Sequence, residues 1–183
     1  KKAWTQKHIF WLKEVVEGKV RTALGFGARE HLACLLGQLE HLQEAEARLD
    51  AAVDELARTE RYAKRMEAFH KAGQGGLITG MTFLVEMGPL ERFNNRRQVG
   101  AFVGLVPGQN QSSDKDHKGH ITRQGSWRLR KILNQAAWSL LRKKDDWARH
   151  VFGRIAARRG RKIAIVALMR QLAIRMWHEG LAA

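Results

Sequence analysis

The sequence predicts an all-α chain: a long coiled-coil helix followed by a compact helical domain. Three patterns carry that expectation. From Leu32 the apolar positions Leu35, Leu39, Leu42, Leu49, Val53 and Leu56 follow four-three spacing, the a and d seam of a coiled coil. Downstream, Leu129, Ile132, Leu133, Ala136, Ala137, Leu140 and Leu141 recur at i, i+3, i+4 and i+7, which gives one buried helix face. The last stretch, Lys162 to Glu179, is apolar nearly all round over its first two turns and belongs at the centre of the packing.

Taken in order, Lys7 to Glu17 reads as a short helix, and Gly25-Phe26-Gly27 separates it from the rod. If continuous, Ala28 to Lys71 makes a rod of up to roughly 65 Å at about 1.5 Å per residue. Glu46 falls on an a position, where a polar residue weakens pairing but fixes register and partner number. A long amphipathic helix packed on its own chain fits the same spacing. Gly73-Gln74-Gly75-Gly76 ends the rod, and glycines at that density permit positive φ and let amides approach a ligand closely. A helix from Leu77 to Met87 follows and is stopped by Gly88-Pro89. Helix, glycine turn, helix is the layout of a helix-hairpin-helix element, in which amides at Gly73, Gly75 and Gly76 hold a backbone phosphate without reading bases. A glycine-rich turn without a ligand has that layout too. Asn95 to Phe102 is a short helix, and Gly104 to Gly125 is a long polar loop of the length that is functional or disordered. Ser126 is an N-cap for the next helix, Asp145-Asp146 caps Trp147 to Arg158, and Gly160 precedes the last helix. These breaks divide the chain into a helical, coiled-coil region at 1–71 and a C-terminal domain at 72–183.

Charge separates the halves further. Residues 91–183 hold 20 Lys and Arg against six Asp and Glu, a surplus of 14, while residues 1–90 hold 13 against 12. Such a surface binds polyanions with strong salt dependence. No apolar run approaches the roughly 18 residues that span a bilayer, so no membrane is expected. The single Cys34 excludes an internal disulfide and a Cys-rich zinc site and fits a cytosolic protein. The sequence starts at Lys1 with no Met and no secretory signal, and reads as a piece of a longer protein.

The chemistry-bearing residues gather in the loop. Ser112 and Ser113 lie one loop's reach from a helix whose first turns carry Arg128, Arg130 and Lys131. A serine hydroxyl is a poor nucleophile unless a base, a metal or neighbouring cations help it, and Lys115, Lys118, Arg123, His117 and His120 are nearby in sequence. Asp114, Asp116, His117 and His120 are metal-ligand types, but adjacent loop residues of this kind are read as solvated, so no metal site is assigned. Trp127 and Trp138, eleven residues apart, share a helical stripe and are read as packing residues, with stacking on an unpaired base as the alternative.

GLVPGQNQSS followed by GHITRQGSWRLRKILNQAAW resembles the C-terminal transposase domain of bacterial insertion sequences of the 110/116/902 family. The family pattern is carried here by Gly104, Leu105, Pro107, Ser112, Gly119, Ile121, Arg123, Gly125, Leu129 and Arg130. The glycine turn at Gly73 to Gly76, the Arg92-Phe93 pair, the terminal KIAIVALMRQLAIRMW and the early WTQKHIFWL also look like that family, so the resemblance spans nearly the whole chain. Two departures stand out: Ser113 replaces a usual Gly and Ser126 a usual Asn.

The resemblance implies a DNA recombinase built from an N-terminal RuvC-like domain with an Asp-Glu-Asp-Asp metal site, a coiled coil and this serine-bearing domain. It implies guidance by a bridge-type RNA, and a serine that attacks a DNA phosphodiester and holds one strand end, 3′ or 5′, covalently. Ser112 matches the family serine, with Ser113 as the alternative hydroxyl. Lys115, Lys118, Arg123, Arg128, Arg130 and Lys131 are the expected phosphate ligands. No cofactor is expected in this piece; Mg2+ would act in the full-length enzyme through the missing domain, so residues 1–183 alone are expected to be inactive. The implied partners are DNA, the guide RNA and further copies of the chain, as a dimer or tetramer through the coiled coil, in the bacterial cytoplasm at the nucleoid. The rival reading is a non-catalytic helix-hairpin-helix module for DNA binding and oligomerisation.

Overall fold

The computed structural model describes residues 5–73, 75–112 and 115–183, the strand residues 109–112 and 115–119 by backbone alone. The chain is all-α, with eight helices and one short two-stranded ribbon among the described residues. It divides into two units, residues 1–52 and 53–183.

The first unit holds helix α1 (Gln6–Val16) and most of α2 (Phe26–Ala57). The Thr5 amide donates to Nδ1 of His8 at 3.3 Å and closes the start of α1. Val15 and Leu36 are buried, and Lys13 pairs with Glu40. Along α2 four seam leucines are exposed, Leu35, Leu42, Leu49 and Leu56, with Leu42 and Leu49 at 65% and 67%, while Leu32 and Leu39 are half-buried.

The rod is not continuous to Lys71. Helix α2 ends at Ala57, and α3 (Glu60–Lys71) starts after an extended Thr59, with φ −66° and ψ 154°. The Thr59 hydroxyl donates to the Leu56 carbonyl at 2.7 Å, giving that helix-end acceptor a partner. Glu60 then places a carboxylate in the first turn of α3, where the helix dipole favours it. At 32 residues α2 is about 48 Å long.

In the second unit α3 packs against α4 (Leu77–Met87) and against the last helix. A 3-10 turn at Leu90–Arg92 leads to α5 (Arg96–Val103), the strands β1 (Pro107–Ser112) and β2 (Lys115–Ile121), and helices α6 (Trp127–Arg142), α7 (Asp146–Arg159) and α8 (Arg161–Ala182). Ser126 and Asp145 cap where the sequence places them, and Asn95, read as the first residue of its helix, is its N-cap. Asn95 Oδ1 accepts from the Arg97 and Gln98 amides at 2.9 and 3.1 Å, Ser126 Oγ from Leu129 at 3.3 Å, and Asp145 Oδ1 from Ala148 at 2.8 Å.

Helix α8 is the centre of this unit. It touches α3, α5, α6, α7 and the 3-10 turn, and Leu168, Leu172, Ala173 and Met176 are wholly buried. The Trp177 indole N–H donates to the Leu90 carbonyl at 2.9 Å, so a buried donor and a buried acceptor satisfy each other. Around α3 and α4, Phe69 and Phe83 meet edge to face at 5.8 Å.

The expected loop between Gly104 and Gly125 is instead mostly an antiparallel ribbon, pairing Pro107 with Ile121 and Ser112 with Lys115, with an irregularity between Pro107 and Gln109. Its strands, PGQNQS and KDHKGHI, lack the alternation of apolar and polar residues by which strands are recognised.

Trp177→Phe keeps the buried ring but removes the donor to Leu90. Urea unfolding of the variant is expected to show a loss of about 0.5–1.5 kcal/mol, the net worth of one hydrogen bond, because the Phe93 amide still donates to the Leu90 carbonyl at 3.3 Å; an unchanged midpoint would mean that the indole bond adds nothing to stability.

Candidate functional site

The ribbon is rooted where two stretches of backbone come into contact. Gly125, at φ +140°, lies so close to the end of α5 that a Cβ on it would meet the Phe102 carbonyl oxygen at 2.2 Å. A Cβ on Gly104, at φ +73°, would meet the Gln124 oxygen at 2.6 Å. Only glycine satisfies both the backbone conformation and the approach at each position.

Arg130 ties the two sides of the root together. From the first turns of α6 its Nη1 donates to the Val103 carbonyl at 3.2 Å and to the Gly125 carbonyl at 3.0 Å. A charged donor shared between two carbonyls is a strong strut. Backbone bonds extend it: Thr122 donates to Val106 at 2.9 Å, Arg123 to Gly104 at 3.3 Å, and Leu105 to Gly100 at 3.1 Å. Leu105 is buried beneath the root. Arg123 takes a left-handed φ of 54°, uncommon for a side-chain-bearing residue, and its side chain is exposed.

The sequence-predicted site residues therefore fall into three groups. Arg123, Arg128, Arg130 and Lys131 gather at the root and the start of α6. Ser112 ends β1 opposite Lys115 in β2, with Lys118 three residues further along that strand. Five residue steps of extended strand separate Pro107 from Ser112, about 17 Å. Ser113 lies outside the described residues. The third group is the glycine turn between α3 and α4, of which Gln74 lies outside the described residues; Gly73 and Gly75 have φ of +65° and +123°.

The glycine turn opens onto a cleft of about 480 Å³. No side chain caps the first amides of α4. Facing them across the cleft are His70 from α3 and, from the C-terminal half of α6 and just beyond it, Ser139, Arg142 and Lys143. Helix-start amides and two cations on one cleft suit an anion. Sequence reading singled out the glycines but not Arg142 and Lys143 as their companions, because more than sixty residues separate them along the chain.

Two further features bear on the surface. Trp127, read as a packing residue, is 62% exposed, whereas Trp138 approaches Phe152 at 6.1 Å. Between Asp146 and Glu179 the sequence has no acidic residue. Within that span Arg154, Arg158, Arg159, Arg161 and Lys162 are exposed around the α7–α8 turn, and no ion pair among the described residues involves them.

The resemblance also implies a divalent metal, and the described residues do not fit one. No three His, Cys, Asp or Glu side chains among them come together in a way that could hold an ion. Glu91 pairs with Arg65 at 2.5 Å, and Asp145 caps α7. No helix among the described residues is long and apolar enough to cross a membrane.

Residues 75–152 match the family model described as the Transposase IS116/IS110/IS902 family. The chain is 29% identical over 153 residues to the transposase for insertion sequence element IS1111A of Coxiella burnetii, covering 80% of this chain and 40% of that protein. It is 28% identical over 152 residues to a probable family 20 transposase of Pseudomonas aeruginosa, covering 81% of this chain and 44% of that one. A putative transposase of Sinorhizobium fredii, y4rJ, is 37% identical over 90 residues, 46% of this chain and 23% of its own length. The chain thus spans less than half the length of each of these relatives.

Gly125→Ala is expected to drive its new methyl into the Phe102 carbonyl and loosen the ribbon root. Hydrogen exchange at the Thr122 and Arg123 amides should accelerate at least tenfold while α8 stays protected; unaltered exchange at those two amides would mean that the root relaxes around the methyl.

Proposed function

We propose that this chain is the coiled-coil and serine-bearing part of a DNA transposase of the insertion-sequence 110/116/902 family, working with a bridge-type guide RNA. The observation that carries the reading is the family match over residues 75–152, which takes in the whole ribbon and the cationic root beneath it. The named relatives, each a transposase in its own description, add weight to it.

In this reading Ser112 is the nucleophile. Its hydroxyl oxygen forms a bond to the phosphorus of a DNA phosphodiester, the bond from phosphorus to one strand oxygen breaks, and that oxygen leaves as a hydroxyl after taking up a proton. The strand stays attached as a serine phosphodiester, so the energy of the broken linkage is conserved for rejoining. The exposed Arg123, Arg128 and Lys131 lie beyond the root end of the ribbon, at the opposite end of β1 from Ser112, and would grip the DNA backbone away from the break. Arg130, held by two carbonyls, acts by fixing the ribbon. Lys115 and Lys118 are the cations nearest the serine along the strands. The divalent ion implied by the resemblance would be held by residues outside 1–183, and this chain's part is to bind and to attack.

The glycine turn serves as a second grip. A duplex phosphate would sit against the Gly75 and Gly76 side of the cleft, with Arg142 and Lys143 flanking it. The exposed leucine seam of α2 fits pairing with another copy of the chain, which would bring the serine of one copy to the metal site of another.

Two experiments test the reading. In the full-length transposase, Ser112→Ala is expected to abolish the covalent protein-DNA adduct on denaturing gels while leaving DNA binding within about twofold. An adduct that survives Ser112→Ala but disappears with Ser113→Ala would move the nucleophile by one residue; full recombination by both variants would establish the non-catalytic binding module instead. In the second, replacing Arg142 and Lys143 together by Ala should weaken duplex binding at every sequence and lower the slope of log K against log salt by about 2. An unchanged slope would remove the glycine cleft from the interface.

A further inference from the structure

We infer that Trp127 is a stacking platform for an unpaired base, held at the mouth of the ribbon root; the inference rests on the nucleic-acid reading above and specifies which form of strand this surface takes.

The observation is a large aromatic residue where packing does not need it. Trp127 opens α6 and is 62% exposed, whereas the positions of that helix that face the core, Leu129, Leu133 and Ala137, are fully buried. Leaving an indole in water forgoes the burial of one of the largest apolar side chains. The surroundings select the occupant. The Arg128 guanidinium lies 5.7 Å and the Lys131 ammonium 5.9 Å from the centre of the Trp127 ring, both within cation–π range. Glu86 approaches Arg128 at 3.8 Å, steadying that guanidinium without neutralising the basic face. An apolar partner surface would have to desolvate these cations. A nucleotide would not, because its base covers the indole while its phosphate meets Arg128 or Lys131.

Duplex DNA offers no free base face to an exposed indole, since its bases are stacked on one another. The ligand class is therefore an unpaired nucleotide: a frayed or displaced DNA strand, or a loop of structured RNA. Position supports this. Ser126, whose hydroxyl caps α6, and the exposed Arg123 precede Trp127 by one and four residues, so the platform lies beside the root and not at the ribbon tip. A base parked there lies toward the root end of the ribbon, at the opposite end of β1 from Ser112, and holds a strand open near the break without blocking the nucleophile.

The test measures binding of the full chain, by fluorescence anisotropy at low salt, to four probes of equal length: oligo-deoxythymidine, oligo-uridine, an abasic strand and a blunt duplex. Trp127→Ala is expected to weaken binding to at least one base-bearing single strand by about five- to a hundredfold, with Trp127→Phe restoring most of it and the abasic strand and duplex changing less than twofold. The larger loss, with deoxythymidine or with uridine, identifies DNA or RNA as the source of the unpaired base. Equal binding of base-bearing and abasic strands by the parent chain, or an equal loss on all four probes in Trp127→Ala, overturns the platform and leaves the transposase reading standing. Failure of the parent chain to bind any probe overturns both.

Discussion

Helix α8 is buried along most of its length, with Arg161, Lys162 and Ile163 of its first turn and Gln171 and His178 exposed, and the rest of the C-terminal unit is arranged around its buried face. Its inner leucines and methionines are wholly buried, each contributing about 1.5–3 kcal/mol relative to exposure. Covering α8 requires α3, α5, α6 and α7 to lie against it, and Trp177 further ties it to the Leu90 carbonyl. The ribbon inherits its position from this arrangement. It leaves α5 at Gly104 and re-enters the bundle at α6, two helices that both rest on α8.

That inheritance gives the residues behind the family resemblance a physical division. Gly104, Leu105, Gly125, Leu129 and Arg130 build the root: two glycines in backbone contact, two buried leucines and one guanidinium shared between carbonyls. Ser112 closes the far end of β1 opposite Lys115, so the position of that end of the ribbon depends on the two glycines where the ribbon begins.

Most of the helical architecture was legible in the sequence because it depends on local signals. Ser126 and Asp145 are caps with a mechanism, and the α6 pattern states its buried face directly; Asn95, read as the first residue of its helix, is its cap. The break at Thr59 was missed because the apolar spacing, interrupted only at Glu46, runs up to Leu56; the available signal was a Thr followed by Glu, a helix start hidden inside an apparent helix. The ribbon was missed because its strands carry Gln, Asn, Lys, Asp and His where strand recognition expects branched apolar residues. Trp127 was assigned to packing from its eleven-residue spacing to Trp138, but at the first turn of α6 it is 62% exposed, because no neighbouring element covers that end of the stripe. The cleft shared by the glycine turn and Arg142 depends on tertiary contact, which no local window contains.

The acid-free span between Asp146 and Glu179 ties folding to occupancy. Five exposed cations around the α7–α8 turn repel one another, and that mutual repulsion raises the free energy of the folded unit whenever the turn stands bare. A polyanion settling there relieves the repulsion only in the folded chain, where the cations are concentrated, so the melting temperature should climb with ligand concentration by mass action. A polyanion bound at this turn would therefore make the folded chain more heat-resistant, and the bare chain the more readily unfolded.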